Sequence, residues 1–397
     1  MIFVYTIAIG ILNGADLWEP SHDLLMSHVH SGTLGWITLA VAGLAVAVFD
    51  RSTQPAPGPA PAPVHRGIDR LAWALVAAVV AYIAAFAVGG TFFADRIQRP
   101  VVGTALFVPV VWFLVWSIRA YRSHPAPGAA HLGLVLAWLS LVIGAVFGVV
   151  LGLSTSGRDL PGLGDEIGAR ISDAHPPAMV IGYLLVAGFA IVEWLLHPED
   201  TTRAPRIGIW LLFVAGLTVN VGFVTGTDEQ LVGPANALMI VAALMVLWRS
   251  RHLLRPAVLR RAGPGLYPRF ALAFLVAYLV MLSVIVSWIA GDTIDFRAPT
   301  ESQEAFLLAF DHTMFIGVMT NLLVGSLARF DPTPRRGDRF MWWGTNIGLV
   351  GFALGLITTT SVVKEIFAPL MGLSLLVGLI DRGRGLGTVH LPASGVA

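Results

Sequence analysis

Twelve long apolar runs divide this sequence, and they constrain its fold more than any other feature. A helix of about 20 mostly apolar residues crosses the ~30 Å hydrocarbon core of a bilayer, so each run predicts one transmembrane helix. The runs cover residues 1–17, 28–49, 68–93, 100–118, 131–153, 174–196, 207–225, 231–248, 268–290, 306–328, 341–359 and 365–380. The sequence therefore predicts an all-α polytopic membrane protein with about twelve transmembrane helices.

The composition excludes a soluble enzyme. Hydrophobic residues make up 56% of the 397 residues and charged residues only 12%, whereas soluble domains carry about 25% charged residues. We predict a single transmembrane domain over 1–397, with the lipid bilayer as its partner. The net charge of +1 provides no basic field, so nucleic acid is not an expected partner. Cysteine is absent, which excludes disulfides, iron–sulfur clusters and thiolate metal sites.

The connections between the runs differ in charge. Those beside the ends of the even-numbered runs hold 19 of the 25 basic residues, and one of them contains a Pro/Ala-rich spacer at 54–64. Because basic connections stay in the cytoplasm, both termini are predicted to be cytoplasmic, and the expected location is the bacterial inner (plasma) membrane. The first run lacks a charged leader and a cleavage site, so we interpret it as a short first span.

Five of the eleven histidines lie on the predicted extracytoplasmic side, at or just before the start of the second, sixth and tenth runs. These five are His22, His28, His30, His175 and His312. Ionisable residues inside a bilayer are costly, so their positions are hypotheses about function. The other six histidines lie in or beside cytoplasmic loops, where a solvated imidazole is expected.

The spacing of these histidines indicates an internal repeat. Counted from His30 and from His312, the sequence has Gly at +5, Thr at +8 and Gly at +13, whereas the copy counted from His175 keeps only the last Gly. Successive copies are separated by about the length of four spans. We therefore predict three four-span units, approximately 1–130, 131–265 and 266–397.

Histidines at one depth on equivalent helices suit a haem. An iron with two imidazole ligands needs them on facing helices at matched depth, with small residues where the porphyrin edge approaches. We predict His30 and His312 as the ligands of one haem b, and Gly32, Gly35 and Gly317 as the small residues. The alternative is an interfacial belt of histidines, with glycines that serve close helix packing.

His28 lies only two residues before His30, which is about 200° around a helix. The two imidazoles therefore cannot face one iron, and the repeat favours His30 as the ligand. His28 could then serve a second site, hydrogen-bond a haem propionate, or lie just outside the helix.

The chain resembles a known family of membrane oxidoreductases. Twelve spans, cytoplasmic termini, four-span units and outer-side histidines on spans two, six and ten are similar to the catalytic subunit of haem-copper oxidases, which includes nitric oxide reductases and NnrS-like proteins. The segment HVHSGTLGWITL at 28–39 is similar to a pattern in oxidase-subunit-I-like proteins. The resemblance implies that His30 and His312 bind the low-spin haem and that Lys364 lies against its propionates.

The resemblance also implies a copper ligand. The segment AHPPAMVIGY at 174–183 is similar to the copper-ligand region of that family, so His175 would be a metal ligand. The sequence departs from the family elsewhere: span seven, 207–225, has no His for copper, Phe310 stands at the position of the oxygen-reducing haem's ligand, and Met179 stands at that of a Tyr. A single His cannot hold a stable copper site.

We therefore expect a haem-binding membrane protein that works in electron transfer or in the response to nitric oxide, without conventional dioxygen reduction. Its electron donor would be a cytochrome or a quinol. One alternative is an active oxygen or nitric oxide reductase that uses His28, His175 and Asp311 as ligands. The other is a cofactor-free transporter, although the charges lie at the ends of the spans. Glu193, near the cytoplasmic end of span six, could relay protons, but we interpret it as a snorkelling surface residue.

Overall fold

The computed structural model describes residues 2–49, 67–88, 97–157, 164–198, 200, 202–255, 266–296 and 298–386. The spacer at 54–64 and residues 89–93 of the predicted third span lie outside these ranges. Within them the chain forms twelve apolar helices. They are α1 (Ile2–Gly14), α2 (His22–Phe49), α3 (Ile68–Ala87), α4 (Gln98–Ser123), α5 (Ala129–Thr155), α6 (Glu166–Leu196), α7 (Arg203–Thr225), α8 (Asp228–Ser250), α9 (Leu266–Ala290), α10 (Glu301–Phe330), α11 (Asp338–Ile357) and α12 (Ser361–Leu386).

The helices confirm the predicted fold class, an all-α polytopic membrane protein. Eleven of the helices in the described ranges are long and apolar enough to cross a bilayer. The remaining one, α1, has 13 residues, and at 1.5 Å per residue it is about 20 Å long. This length agrees with the prediction of a short first span.

Three helices begin earlier than their apolar runs. α2, α6 and α10 start at residues 22, 166 and 301, whereas the runs start at 28, 174 and 306. Polar residues cap two of these early starts: the Ser21 hydroxyl accepts a hydrogen bond from the Leu24 N–H, and Thr300 and Gln303 form a reciprocal capping box. The histidines expected at the starts of spans two, six and ten therefore lie inside the helices, except for His22.

The helices form a closed ring around an inner core. Each helix packs against the next one along the chain, and α12 packs against α1. α6 and α10 are the innermost helices: 72% and 67% of their most apolar 18-residue stretch is buried inside the protein, compared with 22% for α3. α10 contacts both α2 and α6. We refer to the end of the bundle at which α2, α6 and α10 begin as the histidine end.

Each of these three helices contains a π-helical segment, which the sequence analysis did not predict. The segments are Ser31–Thr38 in α2, Ala178–Leu184 in α6 and Thr313–Thr320 in α10. In two of them the last residue's hydroxyl donates to the carbonyl five residues earlier, Thr38 to Thr33 and Thr320 to Phe315. π-helical turns are uncommon and often mark functional sites.

Candidate functional site

The π segments provide a common register for the three repeats. We number each helix from its first π residue and compare the residues three positions before it (−3) and one position before it (−1). The fifth residue of each π segment is Gly. The −3 residues are His28, His175 and Phe310; the −1 residues are His30, Pro177 and His312; the glycines are Gly35, Gly182 and Gly317.

This register corrects the alignment that was based on the histidines alone. His175 is equivalent to His28, not to His30 and His312, and the residue that matches those two is Pro177. With this two-residue shift, the second copy recovers the Gly at +5, which is Gly182. The sequence carried a signal for this alignment, because HPPAMVIG at 175–182 and FDHTMFIG at 310–317 share Met-x-Ile-Gly.

The −3 histidines are held in the same way in the first two repeats. His28 Nδ1 donates a hydrogen bond to the Thr6 carbonyl of α1 (2.9 Å), and His175 Nδ1 donates one to the Gly144 carbonyl of α5 (2.8 Å). Four residues after each carbonyl residue is a glycine that lies under the ring. A methyl group added at Gly10 would be 3.1 Å from His28 Cε1, and one added at Gly148 would be 2.8 Å from His175 Cε1.

The third repeat has an aromatic pair at the same place. Phe310 replaces the −3 histidine, and its ring stacks on Tyr278 of α9, with centroids 4.4 Å apart and an interplanar angle of 18°. Tyr278 of α9 has the place that Thr6 and Gly144 have in the first two repeats. Gly317 packs on Phe274, four residues before Tyr278, as Gly35 packs on Ile2, four residues before Thr6. No imidazole is present at −3 in this repeat.

The −1 histidines bond to their own helices. His30 Nδ1 donates to the Met26 carbonyl (2.7 Å), and His312 Nδ1 donates to the Leu308 carbonyl (2.8 Å). The His30 ring stacks on Phe86 of α3 with centroids 4.5 Å apart. The His312 ring lies edge-on to Phe352 of α11 with centroids 4.9 Å apart.

His28 and His30 face different neighbours, as their 200° separation requires. His28 points toward α1 and lies within electrostatic reach of His312, whereas His30 points toward α3 and lies within reach of His175. We call these the 28/312 pair and the 30/175 pair. The sequence predicts His30 as the partner of His312, whereas His28 is the histidine of α2 that lies within electrostatic reach of His312.

The hydrogen bonds fix the tautomer of all four imidazoles. Since Nδ1 donates to a backbone carbonyl, the neutral ring carries its lone pair on Nε2. No hydrogen bond from the described residues reaches Nε2 of His28, His30, His175 or His312. Metal-binding histidines commonly have this arrangement, in which the second nitrogen is fixed by a carbonyl and the ring orientation is set.

The ring has three parts, each of which lies between two of the helices α2, α6 and α10. Each part has a basic residue at the histidine end. Arg99 of α4 forms an ion pair with Asp23, Arg170 of α6 with Glu166 (2.7 Å), and Lys364 of α12 with Asp16 (2.6 Å). Lys364, the predicted propionate partner, thus already holds a carboxylate at the mouth of the bundle. Each of these three cations is thus paired with a carboxylate at the histidine end.

A cavity of about 550 Å³ lies among α6, α7, α8, α9 and α10. Its lining includes Pro177, Met239, Phe310 and Asp311, and none of the described residues that line it is a histidine. This cavity occupies the part of the ring where the −1 and −3 positions are Pro177 and Phe310. Phe310, which stands at the position of the oxygen-reducing haem's ligand in the resembling family, is one of the described residues that line this cavity.

His175, the predicted copper ligand, and the glycines predicted at the haem edge can be compared with their surroundings. Among the described residues no group of three or more His, Cys, Asp or Glu side chains could hold a metal ion. Gly35 packs against Ile2 and Gly317 against Phe274, while a methyl group at Gly32 would meet Thr6 Cγ2 at 3.4 Å. These glycines serve close helix packing, which was the alternative interpretation.

No protein-family model matches this chain, and no curated protein is significantly similar to it in sequence.

Proposed function

We propose that this chain is a haem-binding electron-transfer protein of the membrane, with one haem b held by His28 and His312. The observation that carries the proposal is the 28/312 pair itself: two imidazoles on neighbouring inner helices, each with Nδ1 bonded to a carbonyl and Nε2 available. The twelve-span architecture and the motif at 28–39 support the same conclusion through their resemblance to the haem-copper oxidase subunit.

The residues around the pair fit a haem. The Thr6 carbonyl holds the His28 tautomer, the Leu308 carbonyl holds that of His312, and Phe352 provides an aromatic wall. Lys364 and Asp16 lie at the opening, where propionates would reach water. A haem bound here supplies reversible one-electron chemistry at its iron. Cysteine is absent, so the haem would not be covalently attached and would be extracted by acidified acetone.

Because both His28 and His312 would hold the haem, the group would supply electron transfer and not the reduction of a bound gas. The cavity among α6 to α10 contains no histidine among its described lining residues, and no copper cluster is available among the described residues. We therefore derive no oxygen or nitric oxide reduction for this chain. A role in the response to nitric oxide would act through electron supply, with a cytochrome or quinol as donor.

The proposal is tested on full-length protein purified from haem-replete cells. We expect a Soret band and a dithionite-reduced minus oxidised spectrum typical of a low-spin b-type haem. His28→Ala and His312→Ala should each reduce the bound haem, whereas His22→Ala, at the exposed start of α2, should leave it unchanged. Folded, monodisperse protein without a Soret band would overturn the proposal.

A second candidate function is the binding or transport of a small molecule through the cavity. The observation in its favour is the volume of about 550 Å³, lined by apolar side chains together with four carboxylates and one guanidinium, which are Asp173, Asp228, Asp295, Asp311 and Arg170. Carboxylates in an apolar cavity suit a cationic or hydrogen-bond-donating solute. Haem-free protein whose thermal stability rises with such solutes, and no longer does so in Asp311→Asn, would favour this function.

A further inference from the structure

We infer that the chain holds a second haem, bound by His30 and His175 in the part of the ring between α2 and α6. This inference rests on the proposed function, since it assumes that the 28/312 pair holds the first. In this inference His175 would help to hold a haem, whereas the sequence predicted it as a copper ligand.

The three-fold arrangement supports the second site. Each part of the ring lies between two of the inner helices, and it receives the −1 residue of one and the −3 residue of the next. His28 lies within electrostatic reach of His312, between α10 and α2, and His30 lies within electrostatic reach of His175, between α2 and α6. Pro177 and Phe310 line the third part. Two parts therefore have the same donor set, and the third has none.

The local geometry at the 30/175 pair repeats that at the 28/312 pair. His175 lies over Gly148 and bonds to Gly144, as His28 lies over Gly10 and bonds to Thr6. His30 bonds to its own helix four residues back, as His312 does. A pair that only filled space would not need the same tautomer locks on both partners.

The walls of this part of the ring suit a flat aromatic ligand. Phe86 stacks on the His30 ring, and Tyr82 meets that ring edge-on at 5.2 Å between centroids. Small residues of α5 face this place: Gly148 lies under His175, and a methyl group at Gly152 would meet Pro100 of α4 at 3.4 Å. Aromatic faces are the surfaces on which a planar aromatic group packs.

Arg99 provides the charge that a haem propionate needs. It is 6% exposed, lies over the Phe86 ring at 4.6 Å, and is within electrostatic reach of His30. Asp23 pairs with its guanidinium, but the Nε atom has no hydrogen-bond partner among the described residues. A buried donor without a partner is costly, and a propionate would satisfy it.

The test is the haem content of the purified chain and of four single variants. We expect two haems per wild-type chain and two one-electron steps in a potentiometric titration. His30→Ala and His175→Ala should each lower the content to one and remove the same step. His28→Ala and His312→Ala should remove the other step.

The outcomes separate the two proposals. Wild-type protein with one haem, retained in His30→Ala and His175→Ala, would overturn the second site and leave the first. Protein without haem would overturn the proposed function. One haem lost in His30→Ala and His312→Ala but kept in His28→Ala would overturn both pairings.

Arg99→Gln gives a further readout that does not depend on removing a ligand. It should keep two haems and lower the binding affinity or shift the midpoint potential of one step only, the step that is lost in His30→Ala. Arg170→Gln, which changes the basic residue at the opening of the histidine-free part, is the matched control and should shift neither step. Equal shifts of both steps in Arg99→Gln would count against the site.

Discussion

At the residue scale, two glycines set the position of the −3 histidines. Gly148→Ala would place a methyl group 2.8 Å from His175 Cε1, and Gly10→Ala would place one 3.1 Å from His28 Cε1. Contacts this short force the imidazole to move. We expect each variant to lower haem occupancy at its own pair, measured as the haem-to-protein ratio. Gly43→Ala is the control, because nothing lies within 4 Å of the added methyl group.

Glu193 illustrates a side chain that sequence reasoning misjudged. It was interpreted as a snorkelling surface residue, but it is 3% exposed and accepts a hydrogen bond from Arg249 Nη1 at 2.5 Å. The sequence could not show this pairing, because Arg249 is on α8 and the two helices are brought together only in the folded bundle. A second bond joins Arg249 to Asp200 (2.6 Å).

Removing this arginine should destabilise the protein strongly. Arg249→Ala leaves the buried Glu193 carboxylate unpaired, and breaking a buried ion pair in this way costs about 3–5 kcal/mol. We expect a clear fall in the thermal unfolding temperature in detergent. The double variant Arg249→Ala/Glu193→Gln should recover part of the loss; equal temperatures for wild type and Arg249→Ala would contradict the role of the pair.

Asp331, just beyond the end of α10, predicts a pH dependence. A hydrogen bond from the Arg335 guanidinium lowers the pKa of its carboxyl from the ordinary value of 3.8 to about 2, with further help from Thr333. Because the pKa is depressed in the folded protein, the interaction stabilises it fully above pH 4 and is lost as the pH falls toward 2.

Asp331→Asn should therefore unfold at a lower temperature than the wild type at pH 7, and the difference should shrink as the pH falls from 4 to 3. Thermal unfolding in detergent across this range measures it. A difference that stays constant with pH would show that the carboxylate charge is not responsible.

At the scale of the helix, the sequence located the spans but not their irregular parts. The thickness of the bilayer sets the length of an apolar run, so twelve helices could be predicted from the runs. The polar first turns of α2, α6 and α10 escaped, because they continue the helix outside the apolar run. The π segments escaped for another reason: they depend on contacts between helices, and no local preference of the residues in 31–38 marks them.

The π segments of α2 and α10 are linked by one hydrogen bond, which can be tested. Trp36 Nε1 donates to Thr320 Oγ1 at 3.1 Å, and the Thr320 hydroxyl donates to the Phe315 carbonyl. Thr320→Val removes the acceptor and leaves the indole N–H without it, at a cost of about 1–3 kcal/mol. We expect lower thermal stability for Thr320→Val, and wild-type stability for Thr320→Ser, which keeps the hydroxyl. Equal losses in both variants would assign the effect to packing.

At the scale of the whole molecule, the histidine pairs could not be predicted from the repeat. The histidines marked the correct helices, but which imidazoles meet depends on the order of helices around the ring. Alignment by residue type matched His175 with His30, whereas the backbone register matches it with His28. The Gly at +5 after Pro177 was the available clue, and the missing histidine at 177 concealed it.

The distribution of arginine along the chain predicts the orientation of the whole bundle. Both termini should lie in the cytoplasm, with the histidine end facing outward, because basic connections are retained inside. A fluorescent protein fused after residue 397 should be fluorescent, and alkaline phosphatase fused at the same point should be inactive. Phosphatase fused in the connection between α10 and α11 should also be inactive, and one fused in that between α11 and α12 should be active. The reverse pattern would invert the topology.

His28 and His30 lie on one turn of α2 and serve opposite sides of it. If both proposed haems are bound, this one turn of α2 would hold a ligand of each, and α2 would connect the two haems covalently. α2 would then be the element shared by the two redox sites. The part of the ring that contains Phe310 and Tyr278 belongs to neither site. Residues that line its cavity could therefore be substituted to bind another ligand without removing a histidine of either pair.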